Sequence, residues 1–94
     1  MENREFFIVL HNGKVLPQTF INRIKFQVEE VMPAMIQGIP YTLKMLCGPE
    51  FWGQLSVGER IMAGHCMASM VATKQLPMSF VGCEHSHPKK YIVN

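Results

Sequence analysis

Ser56-Val57-Gly58-Glu59 is the stretch that most constrains how this chain can fold. A serine three residues ahead of a glutamate, at the head of an apolar run, is a capping box. The hydroxyl accepts from the third backbone N–H of a helix, and the carboxylate reaches back to the first. Helices capped this way start sharply, so the pattern predicts one from about Val57 to about Thr73.

Upstream, Gly48-Pro49 reads as a stop followed by a start, since glycine suits the left-handed position after a helix and proline its first turn. A helix of two turns over Tyr41–Cys47, capped by Thr42 or by the residues just ahead of it, therefore ends at Cys47. A short piece Pro49–Gln54 follows, with Phe51 and Trp52 as aromatic anchors of the corner. Two helices joined by a tight corner, over 41–75, follow helix-turn-helix grammar. Met78 to Cys83, a polar tip Glu84–Pro88 and Lys89 to Val93 then predict a β-hairpin over 77–93. A long helix followed by a hairpin is the order of winged-helix domains. The expected fold is α+β: a small winged-helix-like domain of three helices and a C-terminal hairpin, with an N-terminal strand or hairpin.

That N-terminal element occupies 1–17. Phe6 to Leu10 is strand-rich, His11-Asn12-Gly13-Lys14 supplies the Asn-Gly turn, and Val15-Leu16 starts the return before Pro17 ends it. Over 19–35, Thr19 caps a helix running from about Phe20 to about Met32. Phe20, Ile21, Ile24, Val28, Val31, Met32 and Met35 make its broad apolar face, and Asn22, Arg23, Lys25, Glu29 and Glu30 its solvated one. Pro33 kinks or ends it. The apolar face is wide enough for a homodimer to form through it.

Ninety-four residues make one small domain, and an apolar content of 48% suffices for a packed core. A net charge of +2 permits nucleic-acid binding without demanding it. No apolar run approaches the roughly 18 residues of a membrane span. The N-terminus does not read as a signal peptide, and three cysteines without framework spacing suit a reducing compartment, so a cytoplasmic protein is expected. Eight methionines are an excess, and most of them are expected in the core, where their flexible side chains fill gaps.

Placed on a helical wheel, Val57, Ile61, Gly64, Ala68, Val71 and Ala72 fall on one side of the long helix, assigned to the core. Gly64 and Ala68 there would allow a neighbour to approach closely. The opposite arc carries Glu59, Met62, His65, Cys66, Ser69 and Thr73 as the residues a partner would meet. Enzyme chemistry is not expected. His65 and Cys66 are helix neighbours pointing about 100° apart, and no nucleophile elbow, phosphate loop or paired-carboxylate motif is present. Cys83, His85 and His87 alternate but match no recognised zinc spacing, so neither metal nor cofactor is expected.

The residues Leu55 to Gly64, Met70-Val71, Leu76-Pro77, Phe80 to Gly82 and Pro88 to Tyr91 resemble the C-terminal pattern of small winged helix-turn-helix proteins of bacteria, phages and mobile elements. The resemblance covers Tyr41–Val93. It implies a DNA-binding regulator, often dimeric, with double-stranded DNA as partner. In that reading Arg60, His65, Ser69, Thr73 and Lys74 on or near the long helix face the duplex, while Lys89 and Lys90 grip phosphate. The outward arc of the long helix lacks the Arg, Asn, Gln or Lys usual on a groove-reading face, and Arg60 and Lys74 sit off that arc near the two ends. The alternative is a phage-type inhibitor or adaptor that binds a host protein through Met62, Cys66 and Met70.

Overall fold

The structure is a computed structural model that describes residues 6–82 and 89–94. The chain begins with a hairpin of β1 (Phe7–Val9) and β2 (Val15–Pro17), paired antiparallel with Ile8 opposite Leu16. Gly13, at φ 85°, takes the left-handed position that the Asn-Gly turn requires. Pro17 belongs to β2 and does not precede its end. It lies opposite Phe7 in a pair that exchanges no backbone bonds, so its missing N–H would have pointed away from β1.

Helix α1 (Gln18–Val31) follows at once, two residues earlier than the Thr19 cap predicts, with Pro17 at the cap position. It passes into a 3-10 turn, Met32–Ala34, at Pro33. Its predicted face is the one buried: Phe20, Ile21, Ile24 and Val28 are in the core, with Met32 and Met35 packed against it. The apolar face offered by the sequence for a homodimer is thus covered by the chain's own helices.

Tyr41–Thr42 form a short strand, β3, and not the first turn of a helix. Their ladder partner is β5 (Lys90–Val93), with Tyr41 opposite Tyr91, and this distant pairing overrides the local helical pattern. Helix α2 (Leu43–Cys47) then starts with the Thr42 hydroxyl accepting from Met45 N at 3.4 Å. Gly48, at φ 85°, separates it from α3 (Pro49–Gln54), which stands as a helix of its own. Helix α4 (Val57–Ala72) carries the capping box as read: Ser56 Oγ accepts from Glu59 N at 3.1 Å, and Glu59 Oε1 accepts from Ser56 N at 2.9 Å. β4 (Met78–Phe80) closes a three-stranded antiparallel sheet of order β3-β5-β4. The described residues therefore form a small α+β domain of four helices and two small antiparallel sheets.

The wheel assignment of a core side to α4 holds at Ala68 and Val71 and fails elsewhere, with Ala72 exposed. Ala63, Cys66, Met67 and Met70 face the core, and by its second half the helix is enclosed, so Ala68, Ser69 and Val71 are buried too. Val57 and Ile61, assigned to the core, are 73% and 60% exposed. A neighbour does not approach at Gly64, where a Cβ would meet nothing within 4 Å. The helix has too few charged residues to mark a wet face. Methionine and cysteine side chains remove more apolar area from water than glycine and alanine, and they take the core positions. Met67, Met70 and Met78 are buried and Met62 packs against the core, whereas Met45 is exposed.

Candidate functional site

An apolar-walled groove opens where α2, α4 and the start of β5 meet, with a volume of about 500 Å³. The absent side chain of Gly64 leaves room beneath it, and Leu43, Trp52 and Tyr91 supply apolar wall. Tyr91 is held at the centre of the sheet with its ring 5.5 Å from that of Phe80. Thr42, Lys44, Arg60, Ile61, His65 and Lys89 also line it, and no carboxylate is among the described lining residues. A concavity with apolar walls and cations at its edge attracts anionic or planar ligands.

Arg60 has a defined task here. Its Nε and Nη2 both donate to the Trp52 carbonyl, at 3.3 and 3.2 Å, and its guanidinium lies 5.5 Å from the Trp52 ring centroid. One side chain thereby fixes α3 against α4 and keeps a positive charge at the groove. Arg23 sits over Phe51 in the same way, 5.6 Å from the ring centroid. The aromatic corner expected at Phe51 and Trp52 is present, held by two arginines that local sequence reading leaves on the surface.

His65 joins the groove to the N-terminal hairpin. Its Nδ1 lies 3.1 Å from Asn12 Nδ2, and this amide donates to the ring in the neutral tautomer that carries its proton on Nε2. Burial lowers the pKa of His65 below the ordinary 6.5, and the charges of Lys14 and Lys89 lower it further. Three basic groups from three distant parts of the chain thus share one neighbourhood. Glu59, in the first turn of α4, keeps its negative charge beside these cations. Its carboxylate is bound to the Ser56 backbone and hydroxyl side of the cap, which holds its pKa below the usual value.

The structure divides the residues singled out by sequence. Arg60, His65 and Lys89 converge on the groove. Lys90 is exposed one residue further on. Ser69 is 3% exposed, and its Oγ lies 3.5 Å from His11 N, so it presents nothing to a partner. Thr73 is exposed and donates to Ser69 O at 2.7 Å, about 12 Å along the helix axis from His65. Lys74, also exposed, lies just past the helix end at φ 60°. Of the protein-contact set, Cys66 and Met70 are buried and Met62 is half-buried. The thiols of Cys47 and Cys66 are pushed up to about 11 by burial, so both stay protonated at neutral pH. Cys83, His85 and His87 lie outside the described residues.

Sequence reading missed Lys44, Asn12 and Lys14. Lys44 reads as a surface residue of a short helix, and Asn12 as turn chemistry alone. The contact between Asn12 and His65 spans 53 residues, and no local signal announces it.

No family model, curated protein or solved structure matches the chain. Among the described residues no helix is long and apolar enough to cross a membrane.

Proposed function

We propose that the protein is a non-enzymatic, DNA-binding regulator of winged helix-turn-helix type that meets the duplex with the groove-bearing face of α4. The observation that carries this reading is the convergence of Lys44, Arg60, His65 and Lys89 on one concavity with no carboxylate among its described lining residues. The element order supports it as well: a strand between the first two helices pairs with the last strand, in the order β3-β5-β4, with β4 and β5 as the wing. Lys44 and Lys89 supply point charges to phosphates on either side of the helix, and Lys90, Lys74 and Thr73 extend the contact. Val57 and Ile61 are the outward side chains of the first turns of α4, and their chemistry suits thymine methyl groups better than hydrogen-bonded base edges. Such a surface grips the backbone strongly and reads sequence weakly.

The test is fluorescence anisotropy of duplex DNA with the purified protein at about 50 and then about 200 mM salt. Binding is expected to fall steeply between the two. Lys89→Ala and Lys44→Ala are each expected to weaken all sequences alike and to lower the salt slope by about 1. Absence of binding at the lower salt rejects this reading.

One observation favours a protein partner instead. Val57 and Ile61, one turn apart, are among the most exposed aliphatic side chains of the described residues. A host-protein inhibitor would dock there, in place of the Met62, Cys66 and Met70 face. Its binding would tolerate salt and be lost in Ile61→Glu, a variant whose fold is unaffected because the side chain is already in water.

A further inference from the structure

We propose that two copies of the chain associate through the edge of β1 that pairs with no strand among the described residues, the hairpins joining into one four-stranded antiparallel sheet of order β2-β1-β1-β2. The backbone pattern identifies the open groups. Gln18 N donates to Phe6 O, Leu10 N donates to Lys14 O, and Ile8 lies opposite Leu16. In an antiparallel ladder the even-numbered residues of β1 therefore turn their N–H and C=O toward β2, and Phe7 and Val9 turn theirs toward the open edge. The side chains tell the same story. Leu10 and Leu16 point inward and are buried, while Phe7, Val9 and Val15 share the outer face at 61%, 68% and 55% exposure.

Natural edge strands are guarded against pairing by lysine, proline, a bulge or a covering element. From Phe6 to Leu10 this strand has no charge, proline or glycine. A second copy is the occupant that fits it. A twofold axis at Ile8 sets Phe7 of each copy against Val9 of the other, matching open N–H to open C=O in two doubly bonded pairs. It also makes aromatic–β-branched neighbours on the outer face and brings no like charges together. Edge pairing covers only part of Phe6, Phe7, Ile8 and Val9 and leaves Val15 on the far strand, so the interface is well under the ~1,200 Å² of a standard one. The dimer is accordingly one that dissociates on dilution.

Sedimentation equilibrium of the full chain from micromolar to sub-millimolar concentration tests this, together with amide exchange followed residue by residue. The expected result is a reversible shift to twice the mass of the chain, with the Phe7 and Val9 amides gaining protection as the dimer forms. Val9→Pro removes one outward N–H and spares the ladder to β2, so it is expected to fold and to stay monomeric. Should that variant fail to fold, Phe7→Glu and Val9→Lys test the register, because both positions are in water in the monomer. Each alone is expected to weaken association at least tenfold, and mixing the two is expected to restore it, since opposite charges then meet across the twofold. A wild-type chain that remains monomeric overturns the pairing and leaves the edge to a strand of another protein. Association without protection of Phe7 and Val9, or mixing without rescue, overturns it in favour of face-to-face packing.

Discussion

His65 is where a single side chain senses most of its surroundings. In the folded state it accepts from Asn12 and has Lys14 and Lys89 nearby, and burial together with these two charges lowers its pKa below 6.5. The unfolded chain takes up the proton more readily, so between that ordinary value and the lowered one the unfolded state binds more protons. Stability therefore rises with pH through this window and is lost as the solution is acidified. Urea midpoints taken at about pH 7.5 and about pH 5.5 are expected to differ in that direction, and His65→Gln is expected to reduce the difference. A bound phosphate reverses the local balance, because an anion beside the ring favours its charged form. DNA affinity is accordingly expected to rise over the interval in which the fold weakens.

At the scale of the element, α4 has both ends closed by recognisable devices. Ser56→Ala removes the cap hydrogen bond at Glu59 N and is expected to cost about 1 kcal/mol, read from the urea midpoint. The C-terminal end is a Schellman motif: Gln75 N donates to Met70 O at 2.8 Å and Lys74 N to Val71 O at 3.2 Å. Its left-handed position is held by Lys74 at φ 60°, where glycine carries no steric penalty. Lys74→Gly is therefore expected to stabilise the fold by about 1 kcal/mol. The same substitution weakens DNA binding if Lys74 reaches phosphate, so stability and affinity move in opposite directions. The stretch between the caps carries the weakest pattern of polar and apolar residues, because 57–72 holds only two charged residues, Glu59 and Arg60. With so little polar contrast, a wheel cannot say which side meets the other helices.

At the scale of the molecule, one core is shared by all the helices and by the hairpin and sheet. Ile24 and Val28 of α1, Leu46 and Cys47 of α2, and Cys66 and Met67 of α4 have no exposed surface. Gln27 ties α1 to the end of α2 by donating to Cys47 O at 2.7 Å. Ile24→Ala opens a cavity where these helices meet and is expected to cost 2–5 kcal/mol, a large share of the stability of so small a domain. Unfolding should remain a single transition with an unchanged slope against urea, since no element has a core of its own.

Several starts and stops follow from local sequence. The capping box at Ser56, the break at Gly48-Pro49, the Asn-Gly turn at Gly13 and the buried face of α1 are written in residues a few positions apart, and short-range sterics and hydrogen bonds enforce them wherever the segment lies. Tertiary structure alone decided what depends on distant partners. Tyr41–Thr42 became strand because β5 arrives beside them, and the methionine side of α4 turned inward because the other helices lie there. The groove is of the same kind. Lys44, His65 and Lys89 lie on separate elements, and Asn12 reaches His65 across 53 residues, so only packing of the whole chain brings those charges to one place.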